Sequence, residues 1–398
     1  MTLLDAALPG ADIAARPASA ALSGTAEAIT TRAGLEAIAA EWAALEHRAP
    51  GATWFQSLAW ARAVFDFEQQ RANPAFAPVI ATWRERGQLK AVLPLERTDG
   101  RFRKALMPLG GAFPQYADLL ADPGIDAGKA LMAMLKAAAT ARPADLAALL
   151  KVRAGCRLLD GIPRSAIRTG ARMGAPYVDC AVHPDFDSYF KLLKQKTRKN
   201  MRNARNRLER EAPLTHSVAA SPDAIRGVIG RTVAGRAGRL RDQGLTSRAF
   251  TDPAFADFCA GLAGRDGIDI LAMSLDHGDQ AVAEQWGFVH RGRYYAFVAS
   301  RDFEQSDESP GKLHLKEIIE TCFARSIHTA DLLVPVMPYK LTWASGVTEV
   351  ADFAVPLTLK GRLGIALWDQ RLRPLAKYLV MAMPKSLRGA LMKLAGRG

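Results

Sequence analysis

Three strand-like runs follow one another directly in the second half of the chain, and this succession limits the folds that the chain can adopt. The runs cover residues 269–275, 280–290 and 294–300. Short segments rich in glycine and polar residues separate them, as in hairpin turns. A loop, a helix-like segment at 313–325 and an apolar strand at 330–334 come next. The pattern predicts an antiparallel meander that continues through a helix into a further strand.

The loop that leads into this helix reads Ser309-Pro310-Gly311-Lys312. Ser309 can cap a helix, and proline is favoured at the first helical position. The start of a helix presents free backbone N–H groups and the positive end of the helix dipole, which together favour a phosphate or a carboxylate. The segment therefore predicts an anion-binding turn, and an ordinary connection between a strand and a helix is the alternative.

A chain of 398 residues exceeds the usual size of one hydrophobic core, so we expect two domains. The four cysteines, Cys156, Cys180, Cys259 and Cys322, form no CxxC pair, which favours buried thiols in a reducing compartment over disulfides or a metal site. No window is apolar over the length that a membrane-spanning helix needs. The first residues are rich in alanine and proline without the pattern of a cleaved signal peptide.

The net charge of +13 is concentrated in two segments. Residues 194–210 carry net +7 and residues 360–398 carry net +8, so the remaining chain is close to neutral. A uniformly basic coat for nucleic acid is therefore excluded, and each basic segment needs its own explanation.

Helical and strand-like segments alternate through both halves of the chain, which predicts an α/β (α+β) protein made of two mixed-sheet units in tandem. We predict a flexible lead, an N-terminal unit, a C-terminal unit and a basic amphipathic helical tail. These segments cover residues 1–24, 25–178, 179–360 and 361–398.

Several motifs occur in a fixed order along the chain. The first is Phe186-Asp187-Ser188-Tyr189, followed by a basic helix with Lys196, Arg198, Lys199, Asn200, Arg202, Arg205 and Arg207. Ser309-Pro310-Gly311 and Tyr339-Lys340-x-x-Trp343 come later. Two less distinctive motifs, Thr53-Trp54-Phe55-Gln56-Ser57 and Tyr116-Ala117-Asp118, lie in the first half of the chain. In order and spacing the chain resembles the cellulose-biosynthesis-type branch of the GNAT acyltransferases, which is related to the FemAB-like peptidoglycan aminoacyltransferases. The resemblance covers roughly residues 30–360.

The resemblance implies two GNAT-like units and transfer of an acyl group from acyl-CoA, as a co-substrate, to an amine, with no bound cofactor and no metal. The ordinary GNAT phosphate loop, Gln/Arg-x-x-Gly-x-Gly/Ala, is absent. Ser309, Pro310, Gly311 and Lys312 stand in its place and are the predicted donor-binding residues, together with Lys340. An aminoacyl-tRNA donor, as in the FemAB-like relatives, stays open.

Acyl transfer to an amine needs a group that removes a proton from the amine. Glu284, between Val282 and Trp286 on the middle strand, is the predicted base, and the alternative is a carboxylate on the solvated face. His314 has a suitable intrinsic pKa and is the second candidate, although a single helical histidine is more often structural.

Further residues are predicted to bind the substrates. Lys340 could hold a phosphate or order the site, and Asp118 could bind an acceptor hydroxyl or amine across the cleft between the units. The complete predicted substrate-binding set is Tyr116, Asp118, Arg198, Tyr294 and Trp343. Tyr294 and Tyr295 alternate along a strand, so only one of them can face inward.

The two basic segments have different patterns. The helix within 194–210 lacks aromatic residues for base stacking, so contact with donor phosphates or an anionic acceptor, or a solvated face, ranks above nucleic acid. In the tail, Trp368, Leu372, Leu375 and Leu379 share one helical side with arginines and lysines nearby, a pattern typical of helices that lie on anionic membrane surfaces. A helix packed on the protein body is the alternative.

The sequence thus predicts a cytoplasmic N-acyltransferase that associates peripherally with the inner membrane through residues 361–398. The first choice of acceptor, by resemblance, is an amino sugar in exopolysaccharide biosynthesis. Long-chain acylation of a lipid amine, as in a ceramide synthase, and a non-catalytic GNAT-like binding module are the alternatives.

Overall fold

The computed structural model describes residues 24–100, 103–245, 247–301, 310–372, 375–376 and 378–379. The predicted lead lies outside these residues except for Gly24, which begins the first strand. Ser309 and most of the predicted tail also lie outside them.

In the part of the chain that the structure describes, thirteen strands form one mixed sheet. They are β1 (Gly24–Ile29), β2 (Pro78–Glu85), β3 (Gln88–Asp99), β4 (Lys104–Pro108), β5 (Leu120–Ala121), β6 (Leu146–Arg153), β7 (Ile167–Asp179), β8 (Leu214–Val218), β9 (Asp269–His277), β10 (Gln280–His290), β11 (Arg293–Arg301), β12 (Thr329–Asp331) and β13 (Gly346–Pro356). The predicted meander corresponds to β9, β10 and β11, which pair antiparallel in sequence order.

Helices cover both faces of this sheet in the described residues. They are α1 (Arg32–Ala37), α2 (Ala39–Arg48), α3 (Leu58–Gln70), α4 (Ala127–Ala141), α5 (Arg157–Gly161), α6 (Phe186–Leu192), α7 (Gln195–Glu211), α8 (Pro222–Asp242), α9 (Arg248–Thr251), α10 (Ala254–Ala260), α11 (Pro310–Ala324), α12 (Pro338–Leu341) and α13 (Leu359–Gly364). A 3-10 turn, Trp54–Gln56, precedes α3, and a π-helical segment, Ile365–Leu372, follows α13. The predicted basic helix corresponds to α7, and the Phe186-Asp187-Ser188-Tyr189 motif lies in a separate helix, α6.

The strand order shows that the chain contains the same unit twice. The order is β1-β2-β3-β4-β6-β13-β7-β12-β11-β10-β9-β8, and it reads symmetrically from its two ends. In each unit four antiparallel strands lead through a helix, α4 or α11, into a strand parallel to the fourth: β6 beside β4, and β12 beside β11. The predicted α/β fold with two mixed-sheet units is confirmed.

The two units exchange their last strands. Strand β7, from the first half of the chain, pairs with β12, whereas β13, from the second half, pairs with β6. The exchanged strands also pair with each other, which makes the sheet continuous. The predicted units, residues 25–178 and 179–360, therefore share strands at the centre of the molecule.

Different helices cover the two faces of the second unit. On one face, α8 and α10 pack against Trp286 and Phe288 of β10 in a core that also contains Trp54 and Trp60. On the other face, α7 and α11 pack against Met273 of β9 in a second core. All four cysteines are buried and free of disulfides, as predicted. Among the described helices, none is long and apolar enough to cross a membrane.

Candidate active site

The parallel strands β11 and β12 separate after three residues of pairing. Arg293, Tyr294 and Tyr295 are opposite Thr329, Ala330 and Asp331, after which β12 ends while β11 continues to Arg301. Among the described residues, no strand pairs with this edge of β11 beyond Tyr295. The sheet therefore has an opening here that exposes backbone groups of β11.

A cleft of about 440 Å³ occupies this opening. Its walls come from β11, from the segment that follows β12, from α8 and the loop after it, and from α11. Members of the lining set are Ala296, Phe297, Val298, Leu332, Leu333, Arg236, Arg239, Leu240, Leu315 and Lys340. Since α8 and α11 lie on opposite faces of the sheet, the cleft can bring together two reactants that enter from opposite sides.

Lys340 binds the segment that follows β12 through hydrogen bonds. Its ammonium group donates to the carbonyl oxygens of Leu332 at 2.7 Å, Leu333 at 2.9 Å and Pro335 at 3.2 Å. Burial lowers the pKa of Lys340 to about 8. Because an ammonium has three donors, these bonds favour the second of its two predicted roles, that of ordering the site.

A basic groove of about 410 Å³ lies beside the cleft, and Tyr339 contributes to both. It is formed by three segments that the sequence singled out separately: α7, the first turn of α11, and the region of α12. Its lining residues are Thr197, Asn200, Met201, Asn203, Ala204, Arg207, Lys312, Leu313, Tyr339, Thr342 and Trp343. The start of α11 at Pro310, together with Lys312 and Arg207, makes this groove attractive to an anion.

Trp343 joins the groove to the hydrophobic core. It is 1% exposed, and its ring stacks on Tyr189 and Phe190 at centroid distances of 6.5 Å and 6.0 Å. The Tyr189 hydroxyl donates to the backbone carbonyl of Trp343. The Tyr189 and Trp343 motifs of the sequence thus form one aromatic wall.

Glu284 forms an ion pair on the face covered by α8. Arg231 Nη2 lies 2.6 Å from Glu284 Oε1 and Arg231 Nε lies 3.1 Å from Oε2, and the Ser274 hydroxyl donates to Oε1 at 3.0 Å. The cleft lining contains its neighbour Gln285 and not Glu284. This geometry favours a structural role, and the role of Glu284 as a base stays a prediction.

His314 is buried between α11 and the sheet and lies outside the lining of the cleft and the groove. Burial lowers its pKa to about 3, and the ring of His216 is 5.8 Å away. The ring is therefore neutral and only weakly basic at neutral pH, and its catalytic role also stays a prediction.

Tyr116 and Asp118 lie where the first unit could have had a similar opening. Residues 117–121 bridge the space that β4 leaves beside β6: Ala117 N donates to Leu150 O at 3.0 Å, and β5 pairs with β3. The Tyr116 hydroxyl donates to Asp331 Oδ1 at 3.0 Å, and Asp118 pairs with Arg153 at 3.4 Å. Both of these predicted substrate-binding residues thus lie in the segment that closes the first unit, and their predicted role stays a prediction.

Two other predicted substrate-binding residues lie outside both cavities. Tyr294 is fully buried, its hydroxyl accepts from Gln285 Nε2 at 3.3 Å, and burial raises its pKa. Arg198 is partly buried on α7 and is not part of the groove lining. Their roles remain untested predictions.

Sequence reasoning missed several residues that line the cleft, among them Lys151, Arg236, Arg239 and Gln285. Lys151 could have been noticed in the sequence, because it is the one charged residue in the otherwise apolar run 146–152. The others lie on strands or helices whose orientation depends on packing between the units.

Comparisons with known proteins agree with this geometry. Residues 195–341 match the family model described as an acetyltransferase (GNAT) domain, which is less than half of the chain. None of the curated proteins matches the chain in sequence. Among solved structures, FemX has a similar fold, with a TM-score of 0.57, 11% identity, and coverage of 86% of this chain and 100% of that one.

A second solved structure with a similar fold is the C-terminal domain (DUF2156) of a putative lysylphosphatidylglycerol synthetase from Agrobacterium fabrum. It has a TM-score of 0.50, 12% identity, and coverage of 84% of this chain and 95% of that one. At these identities the likeness concerns the fold alone. Residues 195–341 thus match a GNAT domain model, and the fold of the chain is shared with FemX. The cellulose-biosynthesis-type branch stays a prediction.

Proposed function

We propose that the protein is an N-acyltransferase that transfers an acyl group from acyl-CoA to an amine of a cell-envelope molecule. The observation that carries this proposal is the cleft between β11 and β12, which begins beside a basic groove at the start of a helix. A thioester donor with a polyanionic head and an extended arm fits such a pair of cavities. An amino sugar of an exopolysaccharide is the first choice of acceptor.

In this proposal, different parts of the site bind the donor phosphates, the thioester oxygen and the amine. Lys312, Arg207 and the first turn of α11 hold the donor phosphates through charge and backbone N–H groups. The free edge of β11 beyond Tyr295 offers backbone donors that can stabilise negative charge developing on the thioester oxygen. The amine enters from the side of α8 and must be neutral when it attacks.

A lipid amine is the second candidate acceptor, and one feature of the cleft supports it. Leu240, Phe250, Phe255 and Phe297 form an apolar part of the wall. Such a wall suits an acyl chain longer than acetyl or the hydrocarbon of an acceptor such as a sphingoid base.

Incubation of the purified protein with acetyl-CoA or palmitoyl-CoA and an amine, either glucosamine or sphinganine, tests the function. We expect mass spectrometry to detect an amide product together with free CoA. The acyl-CoA that reacts gives the chain length, and the amine that reacts separates sugar from lipid. Binding of CoA without transfer to either amine would favour the non-catalytic alternative. Neither binding nor transfer would refute the proposed donor.

We also propose that the tail docks on an anionic membrane surface. In its described part, Leu363, Leu367, Trp368 and Leu372 are 63%, 55%, 45% and 51% exposed. Asp369, on the opposite side, is buried and pairs with Arg103, with 3.0 Å between Nη2 and Oδ1. This ion pair fixes the segment on the body with its apolar side outward, which supports docking in the plane of a membrane surface.

Replacing Leu367 and Trp368 together with glutamate is expected to abolish binding to vesicles that contain phosphatidylglycerol. Burial of each side chain contributes about 1.5–3 kcal/mol, so the pair should change partitioning by about 100-fold or more. Vesicle co-sedimentation measures this change. Met132→Glu on α4, where Met132 is 39% exposed, is the matched control and should bind normally. Unchanged binding of the double variant would contradict docking through this segment.

A further inference from the structure

The described lining of the cleft between β11 and β12 is basic. It contains Lys151, Arg236, Arg239 and Lys340 and no carboxylate. Among the described residues, Lys151, Arg236 and Lys340 have no carboxylate within ion-pair distance. Lys340 uses its donors on three carbonyl groups, and Arg239 has an interaction of its own. Lys151 and Arg236 are therefore the two cations of this lining that can bind a ligand.

Lys151, which lines this space, has an unusual backbone conformation. It lies on β6 with φ of 55°, a value that costs a residue other than glycine free energy. A shift of register between β13 and β6 occurs at this point, and Asp352 Oδ1 accepts a hydrogen bond from Lys151 N at 2.8 Å. Strained backbone that is supported in this way is frequently part of a functional site.

The side chain of Lys151 crosses to the loop that closes the first unit. Its Nζ donates to Pro114 O and to Gln115 Oε1, both at 3.2 Å, and both acceptors are neutral. Burial lowers the pKa of Lys151 to about 8, and the charge of Asp352 opposes this shift only in part. A cation in a partly buried cleft is stabilised when an anion binds beside it.

We propose that the acceptor amine carries an anionic group, a phosphate or a carboxylate, and that Lys151 together with Arg236 binds this group in the cleft. This inference rests on the proposed acyl transfer and defines the chemical class of its acceptor. It also gives the first unit a role in the reaction, because Lys151 comes from β6 whereas the donor groove is built by the second unit.

The position of these cations separates them from the donor groove. Lys151 also lines a smaller cavity with Ser247 and Ala249, next to α9 on the side of α8. The groove at the start of α11 lies on the opposite face of the sheet and has its own cations. An anion beside Lys151 is therefore part of the acceptor and not of the donor.

The test compares wild type, Lys151→Met and Lys151→Arg in two measurements on the full chain. The first is binding of glucosamine 6-phosphate, glucosaminic acid and neutral glucosamine by calorimetry. The second is transfer from acyl-CoA to the same amines. We expect Lys151→Met to weaken binding of the preferred anionic amine by about 10- to 100-fold and to leave binding of glucosamine unchanged. Lys151→Arg should restore most of the affinity, and whichever anionic amine binds tightest distinguishes phosphate from carboxylate.

Lys136→Met, an exposed position on α4, is the control for loss of a lysine. Equal binding of anionic and neutral amines to wild type would overturn the inference, and so would weaker CoA binding by Lys151→Met without any effect on the amines. If no amine is acylated but Lys151-dependent binding of an anionic amine is found, the proposed activity fails while the binding site stands.

Discussion

Replacement of Trp343 by alanine is expected to destabilise the protein by about 3–5 kcal/mol and to weaken acyl-CoA binding at the same time. The ring is 1% exposed and is packed against Tyr189 and Phe190, so its removal leaves a cavity that these neighbours fill only in part. Because Trp343 is also a wall of the basic groove, the loss of packing reaches the proposed donor site.

Urea unfolding measures the stability of this variant, and calorimetry with CoA measures its binding. Trp368→Ala is the matched control, since Trp368 is 45% exposed and the same substitution there should change stability by no more than about 0.5 kcal/mol. Similar losses of stability at the two positions would contradict the role of Trp343 as a core residue.

Replacement of Lys312 by glutamate is expected to weaken CoA binding by about 10- to 100-fold without lowering stability. The binding loss follows from removal of a cation that faces the groove and introduction of a like charge to the phosphates. Stability should be kept because Lys312 is exposed and lies in the first turn of α11, where a carboxylate interacts favourably with the helix dipole. Calorimetry at two salt concentrations measures the effect, which should be smaller at high salt.

Lys136→Glu on α4 makes the same change of charge at an exposed position far from the groove in sequence, and it should bind CoA as wild type does. If Lys312→Glu binds CoA as tightly as this control, the groove is not the phosphate site. If the Lys312→Glu variant unfolds instead, the assignment of Lys312 to an exposed first turn is wrong.

The part of the fold that could be predicted from the sequence is the part that depends on local chemistry. The hairpins between β9, β10 and β11 turn at Gly278 and Gly292, which adopt φ of 59° and 72°. These turn residues and the alternation beside them made the meander predictable. The helix at the start of the groove was predictable for the same reason, since proline at its first position is a local signal.

The exchange of β7 and β13 could not be predicted in this way. Strand β7 contains Gly170, Gly174 and Pro176, which weaken the local signal of a strand. Its partners, β12 and β13, come from the other half of the chain. Pairing of this kind is decided by how the two units pack and not by neighbouring residues.

In the candidate site, too, one part could be predicted from local sequence and another depends on packing between the units. Motif order led to Lys312 and Trp343, which the structure brings to one groove. The partner of Glu284 is Arg231, 53 residues away on α8, and no sequence pattern joins the two. Lys151 reaches the cleft because of a change of register between β6 and β13, which also depends on pairing between the units.

Hydrogen–deuterium exchange of the full chain with and without CoA tests the central claim most directly. The claim is that the opening beside β11 in the second unit receives the donor, whereas residues 117–121 close the corresponding place in the first unit. We predict that CoA protects residues 296–299 and 310–313 and leaves residues 104–108 and 117–121 unchanged. Protection at the first unit, or no protection at residues 296–299, would contradict the account.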